Sequence, residues 1–347
     1  MTRRKSSNKM VRLKDIAARA GVSIMTVSKA MRNARDISEP TKERVRAVAQ
    51  QMGYVPDALA QGLRSGATRL LGLVISSMSN PIFARTVTAI EERAFELGYD
   101  LLLAHSLNLP AREEASIKRL LSRRVDGLFL FPVYRLAPVA SIYEEIKRQG
   151  TPTVILGHKA PFCQTFVSVE TDDLMASYHA TRYLLGLGHR RVAYFHGPAA
   201  NPSAVERLEG YRRAHREMEI ELDDSLVFNA GSSLEEGEKA ALQYLNEMPR
   251  ATAVQTYNDL VAIGAAGLFI NQGMRIPQDI SIVGFGNILT SEHYRVPLTT
   301  IRQPKFRLGL AAMDSMIKLL RRDPAESRRL PAELIIRASS GPPAGGG

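Results

Sequence analysis

The chain has one cysteine, Cys163, in 347 residues. A lone thiol excludes an internal disulfide framework and any zinc centre built on cysteines. No apolar run reaches the ~20 residues that a membrane-spanning helix needs. The first nine residues are basic, but no apolar stretch follows them, so they do not read as a secretory signal. These absences fit a protein of a reducing cytoplasm with no membrane partner. Catalytic signatures are missing too: there is no Gly-rich loop of P-loop spacing, no Gly-x-Ser-x-Gly elbow and no His-Glu-x-x-His. The seven histidines are scattered, and His189-Arg190-Arg191 fits a turn into a strand rather than a metal site. An enzyme is not expected, and no cofactor or metal is called for.

What is present is a globular composition, 45% apolar and 23% charged, with its charge unevenly placed. Residues 1–66 carry 14 Lys/Arg against 5 Asp/Glu, whereas the rest of the chain carries 32 against 30. A small basic module joined to a near-neutral body points to polyanion binding at one end and another task at the other.

From Val11 to Tyr54 the apolar spacing is helical. Leu13, Ile16, Ala17 and Ala20 share one face, and Gly21 ends that run. Ser23 is placed to cap a second short helix containing Val27 and Ala30, and a third runs from Glu39 to Met52 with Pro40 in its first turn. Three short helices have little core, so this part is marginal by itself. The segment from Pro56 to Gly66 holds at most two helical turns and reads as a linker that orders on a partner. From Arg69 the chain alternates apolar strands, beginning Leu70-Leu71-Gly72-Leu73-Val74-Ile75, with amphipathic helices. Two successive runs of such units predict two doubly wound parallel sheets, with a ligand cleft beyond the carboxyl ends of their strands.

The run from Leu13 through Ala20-Gly21-Val22-Ser23-Ile24-Met25-Thr26-Val27-Ser28-Lys29 to Asn33 closely resembles the helix-turn-helix of the lactose/galactose-repressor family. The likeness continues through Ile37-Ser38-Glu39-Pro40-Thr41, Met52-Gly53-Tyr54-Val55-Pro56 and Ala60-Gln61-Gly62-Leu63. It enters the body at Asn80-Pro81-Ile82-Phe83, Leu187-Gly188-His189-Arg190-Arg191, Asn258-Asp259 and Pro297-Leu298-Thr299-Thr300-Ile301. It implies a multidomain architecture: a small all-α helix-turn-helix domain and a two-lobed α/β effector domain like periplasmic sugar-binding proteins. The expected division is a disordered basic tail at 1–10, the DNA-binding domain at 11–55, a hinge at 56–68, the effector and dimerisation domain at 69–340 and a flexible tail at 341–347. One lobe is expected at 69–167 and 299–326, the other at 168–298 and 327–339.

The resemblance further implies a cytoplasmic transcription regulator, expected to be a repressor. It would act as a homodimer on pseudo-palindromic double-stranded operator DNA, under the control of a small-molecule effector. The C-terminus shows no leucine heptads, which favours a dimer over a tetramer. By position, Ile24, Met25 and Lys29 match the family's base-reading residues: lysine can donate to guanine, and the apolar pair can meet thymine methyls. Ser23, Thr26, Ser28, Asn33, Ser38 and Thr41 are short polar residues suited to phosphate contacts, and Tyr54 completes the set before the hinge. At the hinge, Leu63 matches the family's minor-groove wedge, and Ala60 allows close approach of two hinge helices.

For the effector, Arg207, Asn258 and Phe83 match family contacts, while Ser77, Asn80, Phe131 and Tyr134 follow the ends of the first and third strands. Asp259 is expected to cap the helix after it. The sequence departs from the family at Gly286, where an Asp is common; Asn287 is the expected substitute. It departs again after Leu156, where Gly157-His158-Lys159 replaces an acidic residue. His158 and Lys159 are expected to make the cleft cationic, suiting a sugar or an acidic sugar derivative. The rival readings are a sugar-binding protein or an enzyme of the periplasmic fold without a regulatory role, and a non-specific architectural DNA binder. The basic module argues against the first pair, and the large body against the last.

Overall fold

The computed structural model of the protein describes residues 11–55 and 67–344. The expected basic tail, residues 56–66 of the expected hinge with Ala60 and Leu63, and residues 345–347 lie outside the described residues. The chain divides into two compact units at Thr68 and Arg69.

In the first unit, local signals give three helices: α1 (Leu13–Ala20), α2 (Ile24–Met31) and α3 (Glu39–Gln51). The Asp15 carboxylate accepts from the Arg12 N–H at 2.9 Å, satisfying a donor at the start of α1. Gly21 ends α1 in the left-handed region. Ser23 then caps α2, its Oγ accepting from the Thr26 N–H at 3.0 Å. The core is small: Ile16, Ala17, Ala20, Val27, Ala30, Val45 and Ala49. Four alanines among these seven residues let the helices approach closely.

The second unit begins β1 (Leu70–Ile75), α4 (Ala84–Glu96), β2 (Asp100–His105), α5 (Pro110–Ser122), β3 (Gly127–Leu130), α6 (Ser141–Gln149), β4 (Thr153–Leu156) and β5 (Val167–Thr171). It continues α7 (Asp173–Gly186), β6 (Val192–His196), α8 (Pro202–Glu217), β7 (Val227–Asn229), α9 (Leu234–Glu247), β8 (Ala253–Thr256), α10 (Asp259–Asn271) and β9 (Ser281–Gly286). The last elements are α11 (Leu289–His293), β10 (Thr299–Arg302), α12 (Lys305–Leu320), β11 (Arg328–Leu330) and β12 (Glu333–Ile335). One sheet has the order β11-β5-β4-β3-β1-β2, the other β12-β10-β9-β8-β6-β7. All neighbours are parallel except β10 and β12.

Helices cover the central strands of each sheet on both faces, which is why strands such as β1, β3, β4 and β9 are apolar along their length. Leu71, Leu73, Val74 and Ile75 are fully buried, each side chain contributing about 1.5–3 kcal/mol. In the first lobe α12 packs Ala311, Ala312, Met313 and Met316 against Leu71, Phe129 and Val154. In the second lobe Gly210 lets α8 lie against α7: a Cβ there would come within 2.3 Å of the Leu174 carbonyl oxygen.

The chain crosses between lobes three times, and not where the sequence placed the crossings. Val167–Thr171 pairs with β4, so the first lobe runs through Thr171 rather than ending at 167. Thr299–Arg302 pairs with β9 in the second lobe, and Arg328–Leu330 returns to pair with β5 in the first. Short strands show no preference for one sheet or the other until their hydrogen-bonding partners are in place. The expected flexible tail also begins too early at 341. Gly341 is tied to the second lobe: its carbonyl accepts from His189 Nε2 at 2.9 Å and its N–H donates to Ser281 Oγ at 3.0 Å.

Candidate functional site

On the first unit, Ile24 and Met25 are 52% and 64% exposed, while Val27 from the same helix is buried. Two large apolar side chains at the start of a helix and outside the core are available for contact. Lys29 forms an ion pair with Asp36. The Asn33 Oδ1 accepts from Arg46 Nη2 at 3.0 Å, and the Ser38 and Thr41 hydroxyls lie 3.0 Å apart at the start of α3. Ser23 and Thr26 share a hydroxyl contact at 2.9 Å. Ser28 accepts from Arg32 Nε through its carbonyl at 3.1 Å. Tyr54 packs partly buried against the small core.

In the second unit a cleft of about 240 Å³ opens at the carboxyl ends of the strands of both lobes. This is below the ~300–1,000 Å³ of drug-sized pockets, so it suits a small ligand. On the first lobe, Phe83 and Phe131 pack edge to face with centroids 4.7 Å apart. Asn80 lies beside them, its Oδ1 accepting from the Ile82 N–H at 3.1 Å. The Tyr134 hydroxyl donates to the His158 carbonyl at 2.8 Å, and burial holds its pKa well above the phenol range.

On the second lobe Arg207 is only 6% exposed. Its guanidinium lies over the Phe285 ring at 3.6 Å from the centroid and beside Tyr257 at 4.6 Å. Nε and Nη2 donate to Asp173 Oδ1 at 3.3 and 3.1 Å, and Nη1 donates to the Tyr257 carbonyl. Among the described residues these three bonds leave one N–H free on each terminal nitrogen. Asn258 lines the cleft but is largely committed. Its Oδ1 caps α10 at the Val261 N–H, 2.8 Å away, and its Nδ2 donates to the Ser232 carbonyl at 2.9 Å.

Asn258, not Asp259, is therefore the cap. Asp259 is buried and accepts from the Ile288 N–H at 2.9 Å, the Ser291 hydroxyl at 2.8 Å and the Thr300 hydroxyl. Burial raises its pKa, and these donors oppose the rise.

An ionic chain, buried at His158 and Asp173 and partly exposed at Arg329, joins the lobes. His158 Nε2 lies 3.0 Å from Glu206 Oε2, and Nδ1 lies 3.5 Å from Asp173 Oδ2. Arg329 bridges Glu170 at 2.8 Å and Glu206 at 2.7 Å. His158, Glu170 and Arg329 come from the first lobe; Asp173 and Glu206 come from the second. Burial by itself would lower the His158 pKa, but the Glu206 hydrogen bond and the Asp173 charge outweigh it, and the pKa is raised. Burial raises the Asp173 pKa against the pull of Arg207 and His158. Burial also acts to raise the Glu206 pKa, but hydrogen bonds from His158 and Arg329 lower it on balance.

Of the residues expected in the cleft, Asn80, Phe83, Phe131, Tyr134, His158, Arg207 and Asn258 line it together. Ser77 does not, because its hydroxyl turns to Ser79 at 2.7 Å and strand alternation brings Ser76 inward. Asn287 does not either: its Oδ1 accepts from Arg337 Nη2 at 2.8 Å outside the cleft. The backbone turns at Gly286, with φ of +134°, and a Cβ there would meet Ile82 Cδ1 at 3.0 Å. The carboxylate nearest Gly286 is that of Asp259.

Of the two residues expected to make the cleft cationic, His158 lines it with a raised pKa, but Lys159 does not line it. Lys159 Nζ donates to Ser327 Oγ at 3.3 Å, and Glu170, Asp173 and Asp259 line the cleft instead. The sequence reading did not single out Asp173, Glu206, Tyr257 or Phe285. Phe285 carried a signal, since it ends an apolar strand where ligands bind in such folds.

Comparison with known proteins covers both units. A family profile described as periplasmic binding proteins and sugar binding domain of the LacI family matches residues 68–338. A second, described as bacterial regulatory proteins of the lacI family, matches residues 12–57. The chain is 30% identical over 337 residues to the HTH-type transcriptional repressor PurR of Vibrio atlanticus, covering 95% of this chain and 98% of that one. It is 32% identical over 330 residues to the HTH-type transcriptional repressor CytR of Escherichia coli K12, covering 94% and 96%. Among solved structures, the lac repressor dimer bound to operator and the anti-inducer ONPF superposes with a TM-score of 0.83 at 27% identity. That match covers 96% of this chain and 100% of the other.

Proposed function

The chain belongs to the LacI family of bacterial regulatory proteins, and from that premise we propose how its two units divide the work of a repressor. The protein is a sequence-specific DNA-binding regulator under the control of a small-molecule effector, and it is not an enzyme. In this reading Ile24 and Met25 lie against base edges in the major groove, and Lys29 leaves Asp36 to donate to a guanine. Ser23, Thr26, Ser28, Asn33, Ser38, Thr41 and Tyr54 fix the register on phosphates, with Ala60 and Leu63 acting at the hinge. A homodimer in the cytoplasm places two such modules on a pseudo-palindromic operator.

The effector is a small, neutral, hydroxyl-rich molecule of the sugar class. The observation that carries this is Arg207, stacked on Phe285 and neutralised by Asp173, with two N–H groups left for ligand oxygens. The Glu170 and Asp173 carboxylates also line the cleft, where they can accept from ligand hydroxyls. A ligand held by both lobes biases their relative position, and the operator and the effector then change each other's affinity reciprocally.

The test is operator binding by fluorescence anisotropy during a screen of neutral sugars, uronates and sugar phosphates. A neutral sugar should shift operator affinity in the wild type. Arg207→Lys keeps the ion pair but loses the fork, so it should still bind operator and no longer respond. An unchanged response in Arg207→Lys would refute this assignment of the cleft.

A further inference from the structure

A second cavity of about 300 Å³ lies outside the effector cleft. Its walls include Arg85 from α4, Arg302 from the end of β10, and Lys305 and Arg307 from the start of α12. Against these four cations the lining supplies one carboxylate, Glu333, and that one is paired with Arg302. Arg85 and Arg307 have no carboxylate or hydrogen-bond acceptor among the described residues. Lys305 is buried, with its ammonium on the carbonyls of Gly286 and Asn287. Burial, helped by the neighbouring Arg85 and Arg302 charges, lowers its pKa to about 8 against the pull of Asp259. Uncompensated like charges around one concavity destabilise it when it is empty, and a bound anion reverses that sign.

We propose that this cavity is a second ligand site, taking the phosphate group of a small phosphorylated metabolite. Two guanidinium forks match phosphate oxygens. The helix α12, whose first residues lie on the same wall, begins without a side-chain cap, and a helix N-terminus favours an anion. The volume admits a phosphate monoester of a few carbons.

The site is placed to act on the effector cleft. Arg302–Lys305 and Leu330–Glu333 are two of the three crossovers between lobes, and both contribute to the cavity. Gln303 lines both cavities, and its Nε2 donates to Thr171 Oγ1 at 3.1 Å, on the remaining crossover. An anion fixed among these segments favours one lobe arrangement and so shifts the affinity for the effector. The proposal does not depend on the nature of the effector.

The experiment is isothermal titration calorimetry of the full chain with inorganic phosphate and with glycerol 3-phosphate, at ionic strength held constant with chloride. Saturable binding is expected. Glycerol 3-phosphate binding tighter than phosphate would identify the metabolite ester, and equal binding would reassign the site to free phosphate and overturn the ester. The double variant Arg85→Ala/Arg307→Ala removes only exposed side chains and should weaken binding by roughly tenfold or more. Arg307→Lys should retain part of the affinity. Arg93→Ala removes an exposed cation of α4 that lines neither cavity and should leave anion binding unchanged. Heat that follows ionic strength alone, full affinity in the double variant, or an equal loss in Arg93→Ala would each overturn the proposal.

Discussion

Asp173→Asn should be the most damaging single change in the cleft. The Asp173 and Arg207 charges are 3.1 Å apart and almost wholly buried. At an effective dielectric constant near 20 their attraction is about 5 kcal/mol. Removing one partner of a buried pair costs about 3–5 kcal/mol, because the other charge is left uncompensated. Arg207 cannot escape by deprotonating, so Asp173→Asn bears the full cost. Arg207→Met is milder, because the stranded carboxyl has a raised pKa already and can take up a proton.

Thermal unfolding of the C-terminal unit reads the difference: Asp173→Asn should lower its Tm by roughly 6–20 °C, at ~2–4 °C per kcal/mol. The double variant should lose much less than the sum of the two singles. A shift below about 2 °C for Asp173→Asn, or strict additivity in the double variant, would show that the pair contributes no coupling.

The ionic chain between the lobes should respond to pH. The folded-state pKa of His158 is raised, so its contribution is complete below the unfolded value of about 6.5 and is lost as pH rises through the folded value. Melting curves from pH 5 to 9 should show this loss, and His158→Gln should flatten it. Ile24→Ala and Met25→Ala should each weaken operator binding by about 1–3 kcal/mol. They should leave the melting of the first unit unchanged within ~0.5 kcal/mol, because both side chains are exposed. Anisotropy and circular dichroism together separate the two effects. Ile16→Ala should cost about 2–5 kcal/mol in a core of seven small residues, enough to unfold that unit as seen by circular dichroism. Lys159→Glu should leave effector affinity unchanged, since Lys159 faces Ser327; a tenfold change, or a uronate preferred over its neutral sugar, would return this charge to the cleft.

Much of the architecture was legible because it rests on local signals. The Gly21 stop, the Ser23 cap and the apolar faces around Ile16 and Val45 act within a few residues of chain, and they gave the three helices. The apolar runs of β1, β3, β6 and β9 announced strands buried on both faces. Ile24 and Met25 could be assigned to the exposed face because Val22 and Val27 were better core candidates. The start of α9 carries a local signal of the same kind, a capping box formed by Ser233 and Glu236.

Sequence by itself thus determined the two-unit order, the doubly wound class and most of the residues around the cleft, since strand ends and helix starts are local events. Tertiary structure alone decided which sheet receives Val167–Thr171, Thr299–Arg302 and Arg328–Leu330, because strand pairing joins residues far apart in the chain. It also decided the electrostatics of the cleft. Whether Lys159 faces a ligand, whether Asp259 or Asn287 lies beside Gly286, and whether His158 meets Glu206 all depend on backbone turns and on the closure of one lobe against the other. Charge acts through space, and the neighbours that set its sign and strength come from distant parts of the chain.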